Sequence, residues 1–301
     1  MQIGADDSFR VPAGKKIDLK SCDSGWTPKW ALKIEGKEGK KAAKQQAFAM
    51  LEENRQKLAK MQELFWANST YSMLIILQGM DAAGKDGVIS HVMSGVNPQG
   101  CQVTGFKTPS EEELNHDFLW RYTKALPERG RIGIFNRSYY EDVLIVKVRP
   151  EVLALTKLPP ESEGKSIWNQ RYDDINMYER HLVRNGTRIL KFFLNVSKDR
   201  QKKRFLQRLE DPDKQWKFSL MDLSERSKWN DYMEAYEDAL NETSTEWAPW
   251  HVIPADKKWV AHASISEIIV SQIESLGLKY PTLSEEQSAD LEKAKAELEK
   301  E

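Results

Sequence analysis

The sequence has few of the residues that metal centres and disulfide scaffolds require. Its 301 residues include two cysteines, Cys22 and Cys101, and five histidines without metal-ligand spacing. Two distant cysteines do not make a disulfide framework or a zinc site, so we expect a reducing compartment, the cytoplasm. No Ser-His-Asp set is recognisable, which leaves hydrolysis by a nucleophilic or zinc route with little support.

Long hydrophobic runs and an excess of one charge are also lacking. No apolar run approaches the ~20 residues that span a bilayer, and the N-terminus has no signal-peptide core, so we expect no membrane contact. The chain carries 45 basic and 46 acidic residues, a net charge of −1. This balance argues against a protein that coats nucleic acid. Any polyanion site must therefore be a local cluster of lysine and arginine.

One glycine-containing stretch organises the rest of the chain. A short apolar run, Met73 to Leu77, is followed by a glycine loop and then by a segment able to form a helix from Lys85. The spacing Gly79-x-x-x-x-Gly84-Lys85 satisfies most of the P-loop pattern, in which backbone N–H groups and a lysine bind phosphate. With Lys85 as its cation, the predicted phosphate-binding residues of the loop are Gly79, Ala82, Ala83, Gly84, Asp86 and Gly87.

The loop departs from the usual P-loop pattern at its last position. Asp86 stands where a Ser or Thr hydroxyl would touch Mg²⁺, so a metal has to be held differently. Asp81 is a candidate ligand, because a hard cation prefers carboxylate oxygen. The alternative is a surface turn that contains two glycines and a lysine by chance. The strand before it and the helix after it argue against that alternative.

Apolar strands and amphipathic helices alternate along the chain. Four further strands are predicted at residues 100–106, 131–135, 187–194 and 250–254. This alternation predicts an α/β fold in three layers, with a five-stranded parallel sheet covered by helices on both faces. Asn136 and Arg137 directly follow the third strand, and an open parallel sheet places its ligand site at the carboxyl ends of its strands.

Three segments are predicted along the chain. Residues 1–36 form an irregular arm that Trp26 and Trp30 could fix to the domain, residues 37–282 form the P-loop domain, and residues 283–301 form a charged helical tail. Within the domain, Ser110 and Glu113 have the spacing of a capping box. That box predicts a helix to about Ala125, and residues 150–160 are predicted to form a loop.

Residues 198–241 are predicted to form a lid. Its first helix carries Arg200, Arg204 and Arg208 at intervals of four, so the three side chains share one face. A solvated surface stripe explains this face as well as phosphate binding does. Residues 211–217 break the helix, and a capping box of Asp222 with Glu225 is predicted to open the next one. Two helices with a basic hinge can close over phosphates and exclude water.

Several separated motifs resemble the polyphosphate kinase 2 family. They are Gly79-x-Asp81-x-x-Gly84-Lys85-x-Gly87, Asn97-Pro98, Phe135-Asn136-Arg137-Ser138-x-Tyr140, Lys214-Gln-Trp-Lys217, and Ala248-Pro249-Trp250 with Pro254-Ala255-Asp256. The similarity covers about residues 7–281, with the motifs in the family's order. It implies a thymidylate-kinase-like P-loop kinase fold with a helical lid. It also implies transfer of phosphoryl groups between inorganic polyphosphate and nucleotides with Mg²⁺ or Mn²⁺.

The resemblance also implies roles for individual residues. Asp81 would be the metal carboxylate, Lys85 the P-loop cation and Arg137 the cation after the third strand. Asn136 beside it would bind phosphate or nucleotide. The lid residues implied to bind phosphate or nucleotide are Arg208, Lys214, Lys217 and Arg226. Polyphosphate has no base or ribose, so a row of cations must recognise it. Candidates for that row are Lys107, Arg121, Arg131, Arg200 and Arg204.

One motif narrows the acceptor. Many relatives have Asp-Arg-Ser followed by Asn, whereas this chain has Asn136-Arg137-Ser138 followed by Glu141, which resembles the subgroup that phosphorylates both AMP and ADP. Glu141 could bind a second metal or orient a shorter nucleotide; a helix-start glutamate favoured by the helix dipole is the alternative. We expect polyphosphate as donor and AMP and ADP as acceptors, giving ADP and ATP. The sequence does not separate adenine from guanine nucleotides.

Two other functions stay open from the sequence. One is an ATP-dependent nucleoside monophosphate kinase of the same fold, and the other is a non-catalytic regulator that binds polyphosphate or nucleotide. The joint presence of Asp81, Lys85 and Arg137 argues against the regulator, since a binder needs the cations and not the metal carboxylate. The family forms dimers and tetramers, so the resemblance also implies a homo-oligomer.

Overall fold

A sheet of five parallel strands forms the centre of the molecule. The computed structural model describes residues 4–28, 36–156, 158–159, 162, 164 and 167–301. The strands are β1 (Ser72–Gln78), β2 (Cys101–Gly105), β3 (Ile132–Asn136), β4 (Thr187–Asn195) and β5 (Trp250–Pro254). They lie in the order β2-β3-β1-β4-β5, and every neighbouring pair is parallel. The predicted α/β fold is confirmed.

The register of the sheet brings two loop starts to the same edge. Leu77 of β1 pairs with Asn136 of β3 on one side and with Phe192 of β4 on the other. All seven residues of β1 are buried, as expected for a parallel strand covered on both faces. The glycine loop after β1 and the polar segment after β3 therefore begin side by side.

Helices cover both faces of the sheet. Those of eight or more residues are numbered here in chain order as α1 (Gly36–Asn68), α2 (Lys85–Val92), α3 (Ile167–Arg184), α4 (Lys198–Glu210), α5 (Leu220–Ser227), α6 (Trp229–Thr243), α7 (Lys258–Glu274) and α8 (Glu285–Leu298). Helices α1 and α2 pack with α7 on one face, and α3 packs with α6 on the other. The shorter helices are Ala5–Phe9, Glu111–Leu114, Trp120–Thr123, Ile145–Val148 and Pro150–Leu153.

The N-terminal segment lies along β5. Arg10 forms an antiparallel bridge with His251, and the N–H of Val11 donates to the carbonyl of Trp250 at 2.8 Å. Trp26 packs edge-on against the ring of Phe9, with centroids 5.0 Å apart. This segment therefore covers β5, the last strand on one side of the sheet, and protects it from pairing with another chain. The prediction for Trp30 lies outside the described residues.

The helix predicted from Ser110 to Ala125 is wrong in its length. Ser110 and Glu113 form the expected capping box, but the helix ends at Leu114 and a separate turn of helix follows at Trp120–Thr123. The Asp117 side chain accepts the N–H of Leu119, a local bond that competes with continuous helix.

The loop predicted for residues 150–160 is also corrected. Pro150–Leu153 is helical, because proline is well suited to the first helical position. A short 3₁₀ turn follows at residues 154–156.

The capping box of α5 begins three residues before its predicted position. Ser219 caps the helix and Asp222 closes the box, so Asp222 occupies the third helical position instead of the cap. Glu225 lies in the second half of α5 and pairs with Arg149, with the Nη2 and Oε1 atoms 2.5 Å apart. Ser219 and Asp222 have the three-residue spacing of a capping box, which the sequence interpretation overlooked.

Helix α8 forms within the charged tail predicted for residues 283–301. It begins with a capping box of Ser284 and Gln287, and all of its residues are exposed. Among the described residues, no helix combines the length and the apolar character needed to cross a bilayer.

Candidate active site

The glycine loop folds tightly between β1 and α2. Gly79 has φ +149°, and a Cβ there would lie 3.0 Å from the carbonyl oxygen of Leu194. Gly84 has φ +115° and precedes the first residue of α2. Both positions require glycine, the first for close packing and both for backbone conformation. The loop therefore brings the start of a helix and its free N–H groups to the edge of the sheet, a suitable place for an anion.

Lys85 closes the loop from inside. Its Nζ donates to the carbonyl of Gly79 at 2.6 Å and lies 3.4 Å from that of Met80. Burial, and then the positive charge of Arg137, lower the pKa of Lys85 to about 8. An arriving anion would favour the charged form of this lysine and offer it a stronger acceptor than a carbonyl.

Arg137 lies between two carboxylates. Its Nη2 is 2.5 Å from Oδ1 of Asp81, and its Nη1 is 3.2 Å from Oε2 of Glu141. The two negative charges, first that of Glu141, raise the pKa of Arg137 above its ordinary value. The residue has φ +67°, which is rare outside glycine. The structure thus brings the predicted residues Asp81, Lys85, Arg137 and Glu141 together.

Gln78 is a site residue that the sequence interpretation missed. It ends β1, is fully buried and lies beside the 3₁₀ turn Tyr139–Val143. In the amide orientation that the surrounding donors and acceptors favour, the nitrogen donates to Oε1 of Glu141 at 3.0 Å and the oxygen accepts from Oγ of Ser138 at 3.2 Å. A polar residue at the end of a buried apolar strand was the signal that could have found it.

Asp86 connects the loop to the neighbouring elements. Nδ2 of Asn136 donates to its Oδ1 at 2.8 Å, and Nζ of Lys217 lies 3.9 Å from its Oδ2. The residue in the usual hydroxyl position of the loop therefore contacts both the end of β3 and the segment between α4 and α5.

The segment from α4 to α5 reaches the loop through Gln201. Its Nε2 donates to the carbonyl of Asp81 at 2.9 Å, and its Oε1 accepts from Nη1 of Arg226 at 2.8 Å. Gln201 was also missed, because nothing in the sequence distinguishes it from a surface glutamine. Of the four lid residues predicted to bind phosphate or nucleotide, Arg226 and Lys217 lie next to the loop and its partners.

The other two of these four residues, Arg208 and Lys214, pair locally. Arg208 lies 3.9 Å from Asp222 and 3.5 Å from the carbonyl of Lys217. Lys214 is exposed and forms an ion pair with Asp211. Neither touches the glycine loop.

The predicted polyphosphate row is divided by the fold. Nη1 of Arg204 donates to the carbonyls of Ala82 and Ala83, both at 2.7 Å, and Nη2 to that of Ala255 at 2.6 Å. Burial lowers the pKa of Arg204 to about 10. Nε of Arg200 donates to the carbonyl of Asp256 at 2.9 Å. Arg204 therefore stabilises the loop by donating to its carbonyls and does not line an open surface.

Lys107 and Arg121 form a second group. Arg121 donates to the carbonyl of Lys107 at 3.0 Å, pairs with Glu113 at 3.3 Å and lies over the ring of Phe106. Lys107 is exposed just after β2, on the same edge of the sheet as the glycine loop.

Arg131 does not join the site. It precedes β3, at the amino end of the strand, where it pairs with Glu128 at 3.2 Å. A five-residue strand separates it from Asn136 by about 16 Å.

Metal binding would depend on the two carboxylates around Arg137. In the part of the chain that the structure describes, no three His, Cys, Asp or Glu side chains lie close enough together to hold a metal ion by themselves. Asp81 and Glu141 are both partly exposed. Mg²⁺ is commonly held by one or two carboxylates and completed by substrate phosphates and water, so this donor set fits such an ion.

Comparison with known proteins matches nearly the whole chain. A family model described as polyphosphate kinase 2 (PPK2) matches residues 41–280. The chain is 52% identical over 274 residues to the ADP-polyphosphate phosphotransferase of Rhodopseudomonas palustris, covering 91% of each chain. It is 45% identical over 273 residues to the AMP/ADP-polyphosphate phosphotransferase of Meiothermus ruber, covering 91% of this chain and 94% of that one. The crystal structure of polyphosphate kinase 2 from Arthrobacter aurescens TC1 is similar with a TM-score of 0.83 and 39% identity, over 96% of each chain.

Proposed function

This chain belongs to the polyphosphate kinase 2 family, and from that premise we propose that it transfers phosphoryl groups from inorganic polyphosphate to AMP and ADP. The products are ADP and ATP, and the reaction is reversible. The observation that carries the proposal is the convergence of Asp81, Lys85, Arg137 and Glu141 beside the glycine loop. Phosphoryl transfer needs mainly positive charge and positioning, and these residues supply both.

The chain's own groups bind and align the phosphates. N–H groups at the start of α2 and the Lys85 ammonium bind oxygens of one phosphate, with Lys85 exchanging the Gly79 carbonyl for the anion. Arg137 neutralises charge on the transferred group from the other side. The segment of residues 198–241 acts as the lid, which contributes Lys217 and Arg226 and excludes water.

Asp81 and Glu141 are the residues that would hold a divalent cation, Mg²⁺ or Mn²⁺. When bound, the ion would neutralise and orient phosphate oxygens. Arg137 contacts one oxygen of Asp81 and leaves the other for additional partners, whereas the two oxygens of Glu141 contact Arg137 and Gln78, so a cation there would share an oxygen with one of them. Arg137 keeps the two carboxylates apart and oriented toward the loop.

AMP as an acceptor rests on Glu141. Its carboxylate contacts Arg137 and Gln78, so it lies in the cluster and does not merely cap a helix. A shorter nucleotide places its terminal phosphate farther from the loop, and a carboxylate here could orient that phosphate through a bound cation. The names of the two relatives differ on this point, because one specifies ADP alone and the other AMP and ADP.

The test is a donor and acceptor matrix with purified protein. Polyphosphate, Mg²⁺ and AMP should give ADP and then ATP, whereas ATP with AMP or dTMP in the absence of polyphosphate should give no comparable turnover. Guanine nucleotides belong in the same matrix. Absence of both ADP and ATP with polyphosphate contradicts the proposal, and efficient transfer from ATP alone supports the ATP-dependent kinase.

A matched variant separates an enzyme from a binding protein. Asp81→Asn keeps the shape of the side chain and removes the charge that would bind a cation. It should abolish turnover while polyphosphate still binds. A wild-type protein that binds polyphosphate without any turnover would support the regulator.

A further inference from the structure

A fully buried ion pair lies behind residues 137–143, the segment after β3 that is called the turn from here on. Glu179 of α3 and Lys191 of β4 have no exposed side-chain surface, and their Oε2 and Nζ atoms are 2.6 Å apart. The hydroxyls of Tyr139 and Tyr140 both donate to Oε1 of Glu179, at 2.8 and 2.9 Å. One carboxylate oxygen is therefore the common acceptor for two consecutive residues of the turn.

Every proton of the Lys191 ammonium has an acceptor. Nζ donates to Glu179, to the hydroxyl of Tyr140 at 2.8 Å and to the carbonyl of Thr243 at 2.8 Å. Tyr140 thus accepts one bond and donates another. The cluster connects the turn, α3, β4 and α6 through a complete set of hydrogen bonds, which fixes their relative positions.

Stability does not explain why charged residues form this cluster. The desolvation of a buried lysine and glutamate offsets their attraction, and apolar residues of similar volume commonly hold a core as well. Burial lowers the pKa of Lys191, which reflects this cost. A carboxylate oxygen can accept from two hydroxyls and binds them more strongly than a neutral acceptor does, so Glu179 is well suited to orient both tyrosines.

The turn requires external support because its backbone is strained. Arg137 has φ +67°, and such residues persist where surrounding contacts impose the conformation. Its N–H continues the sheet by donating to the carbonyl of Leu77 at 3.1 Å. The two tyrosines then point into the core, while Glu141 points back to Arg137.

We propose that Glu179 and Lys191 are positioning residues, which through Tyr139 and Tyr140 hold the turn so that its charged side chains face the glycine loop. The catalytic consequence rests on the proposed function, whereas the coupling between the cluster and the turn does not.

The first test removes both charges and keeps the volume. Because Glu179→Leu with Lys191→Met leaves the hydroxyls of Tyr139 and Tyr140 and the carbonyl of Thr243 without these partners, its unfolding temperature should fall, and its kinetics are measured well below that temperature. Its KM values for polyphosphate and AMP should stay within about threefold, while kcat should fall roughly 10- to 100-fold, because small misplacements of reacting groups have effects of that size. A wild-type kcat, whether or not KM rises, would overturn the proposal.

Tyrosine variants keep the test decisive if the charge-free variant does not fold. Tyr139→Phe combined with Tyr140→Phe removes the two hydroxyls from the turn. Tyr172→Phe is the matched control, because its hydroxyl is buried and has no hydrogen-bond partner among the described residues. A lower kcat in the double variant and not in the control supports positioning, and equal kcat values refute it.

Hydrogen exchange separates this proposal from the proposed function. Amides of residues 137–143 should exchange faster in the charge-free and double tyrosine variants than in the wild type or Tyr172→Phe. Unchanged exchange would overturn the positioning role. Faster exchange with a wild type that transfers no phosphoryl group would support the coupling and contradict only the proposed function.

Discussion

The glycine loop and the tip of the segment between α4 and α5 both carry cations, but they hold them differently. Lys85 and Arg204 are buried and donate to backbone carbonyls of the loop. Lys214 and Trp216 at the tip are exposed, and Lys214 pairs only with Asp211 three residues away. The loop is thus organised before a ligand arrives, whereas the tip makes few buried contacts.

This contrast occurs even within one helix. Arg200, Arg204 and Arg208 are spaced by four on α4, yet only Arg204 donates to the loop, while Arg208 extends toward Asp222. Equal spacing therefore does not give equal roles. The position along α4 decides which arginine supports the loop. Arg204 is buried against the loop carbonyls, whereas Arg208, about one turn farther along, is partly exposed.

The largest effect is expected from replacing the central cation of the loop region. Arg137→Lys substitutes a single ammonium for a guanidinium that contacts Asp81 and Glu141 through separate nitrogens. We expect kcat/KM for ADP formation from AMP to fall by roughly 10²- to 10³-fold. Arg131→Lys, at the opposite edge of the sheet, is the control. A loss at Arg137 no greater than at Arg131 would contradict a central role.

The next effect concerns the stability of the loop. Arg204→Met leaves the carbonyls of Ala82, Ala83 and Ala255 without their donor. We expect the free energy of unfolding to fall by about 2–4 kcal/mol, measured by urea titration.

Lys217→Met makes the matched change in the segment between α4 and α5. Its ion pair with Asp86 is long and partly exposed, so we expect unchanged stability and a few-fold higher KM for polyphosphate, more pronounced at low salt. Equal destabilisation by the two substitutions would remove the distinction between loop and tip.

The smallest effect at neutral pH is expected from His262 of α7, which packs against α2, the helix that follows the glycine loop. Burial, with the nearby charges of His91, Lys258 and Arg204, lowers its pKa from 6.5 to about 4. Because the unfolded chain then takes up a proton first as pH falls, stability should decrease between about pH 6.5 and 4, by at most about 3 kcal/mol. This group contributes no pH dependence above that window.

Urea titrations at several pH values measure this effect. His262→Gln should flatten the slope below pH 6.5. The same change at exposed His116 should leave the slope intact. An identical slope in the wild type and His262→Gln would show that the buried ring is not its source.

Most of the candidate site could be predicted because its signals are local. One short stretch of the chain contains the apolar run, Gly79, Gly84 and Lys85. Arg137 follows closely after another apolar run. Parallel strands place such carboxyl ends together by a general rule. Gln78 carried a weaker local signal, as a polar residue ending the same run.

Other contacts have no local signal. Glu179 lies in an amphipathic helix and Lys191 in a strand, and each alone resembles a residue that points to solvent. Their pairing depends on α3 packing against the next strand, and the role of Gln201 between Asp81 and Arg226 depends on segments far apart along the chain. The helix after Ser110 is shorter than predicted, because the bond from the Leu119 N–H to the Asp117 side chain competes with continuation of the helix.

The sequence by itself determined the order of strands and helices along the chain, the parallel sheet and the glycine loop that we propose binds phosphate, because periodicity and glycine placement act over a few residues. The tertiary structure alone decided which cations face the loop, which carboxylates flank Arg137 and which charges are buried behind it. Those outcomes depend on how segments pack: Asp81 and Arg137 are 56 residues apart along the chain, and even Glu179 and Lys191, 12 residues apart, meet because α3 packs on β4.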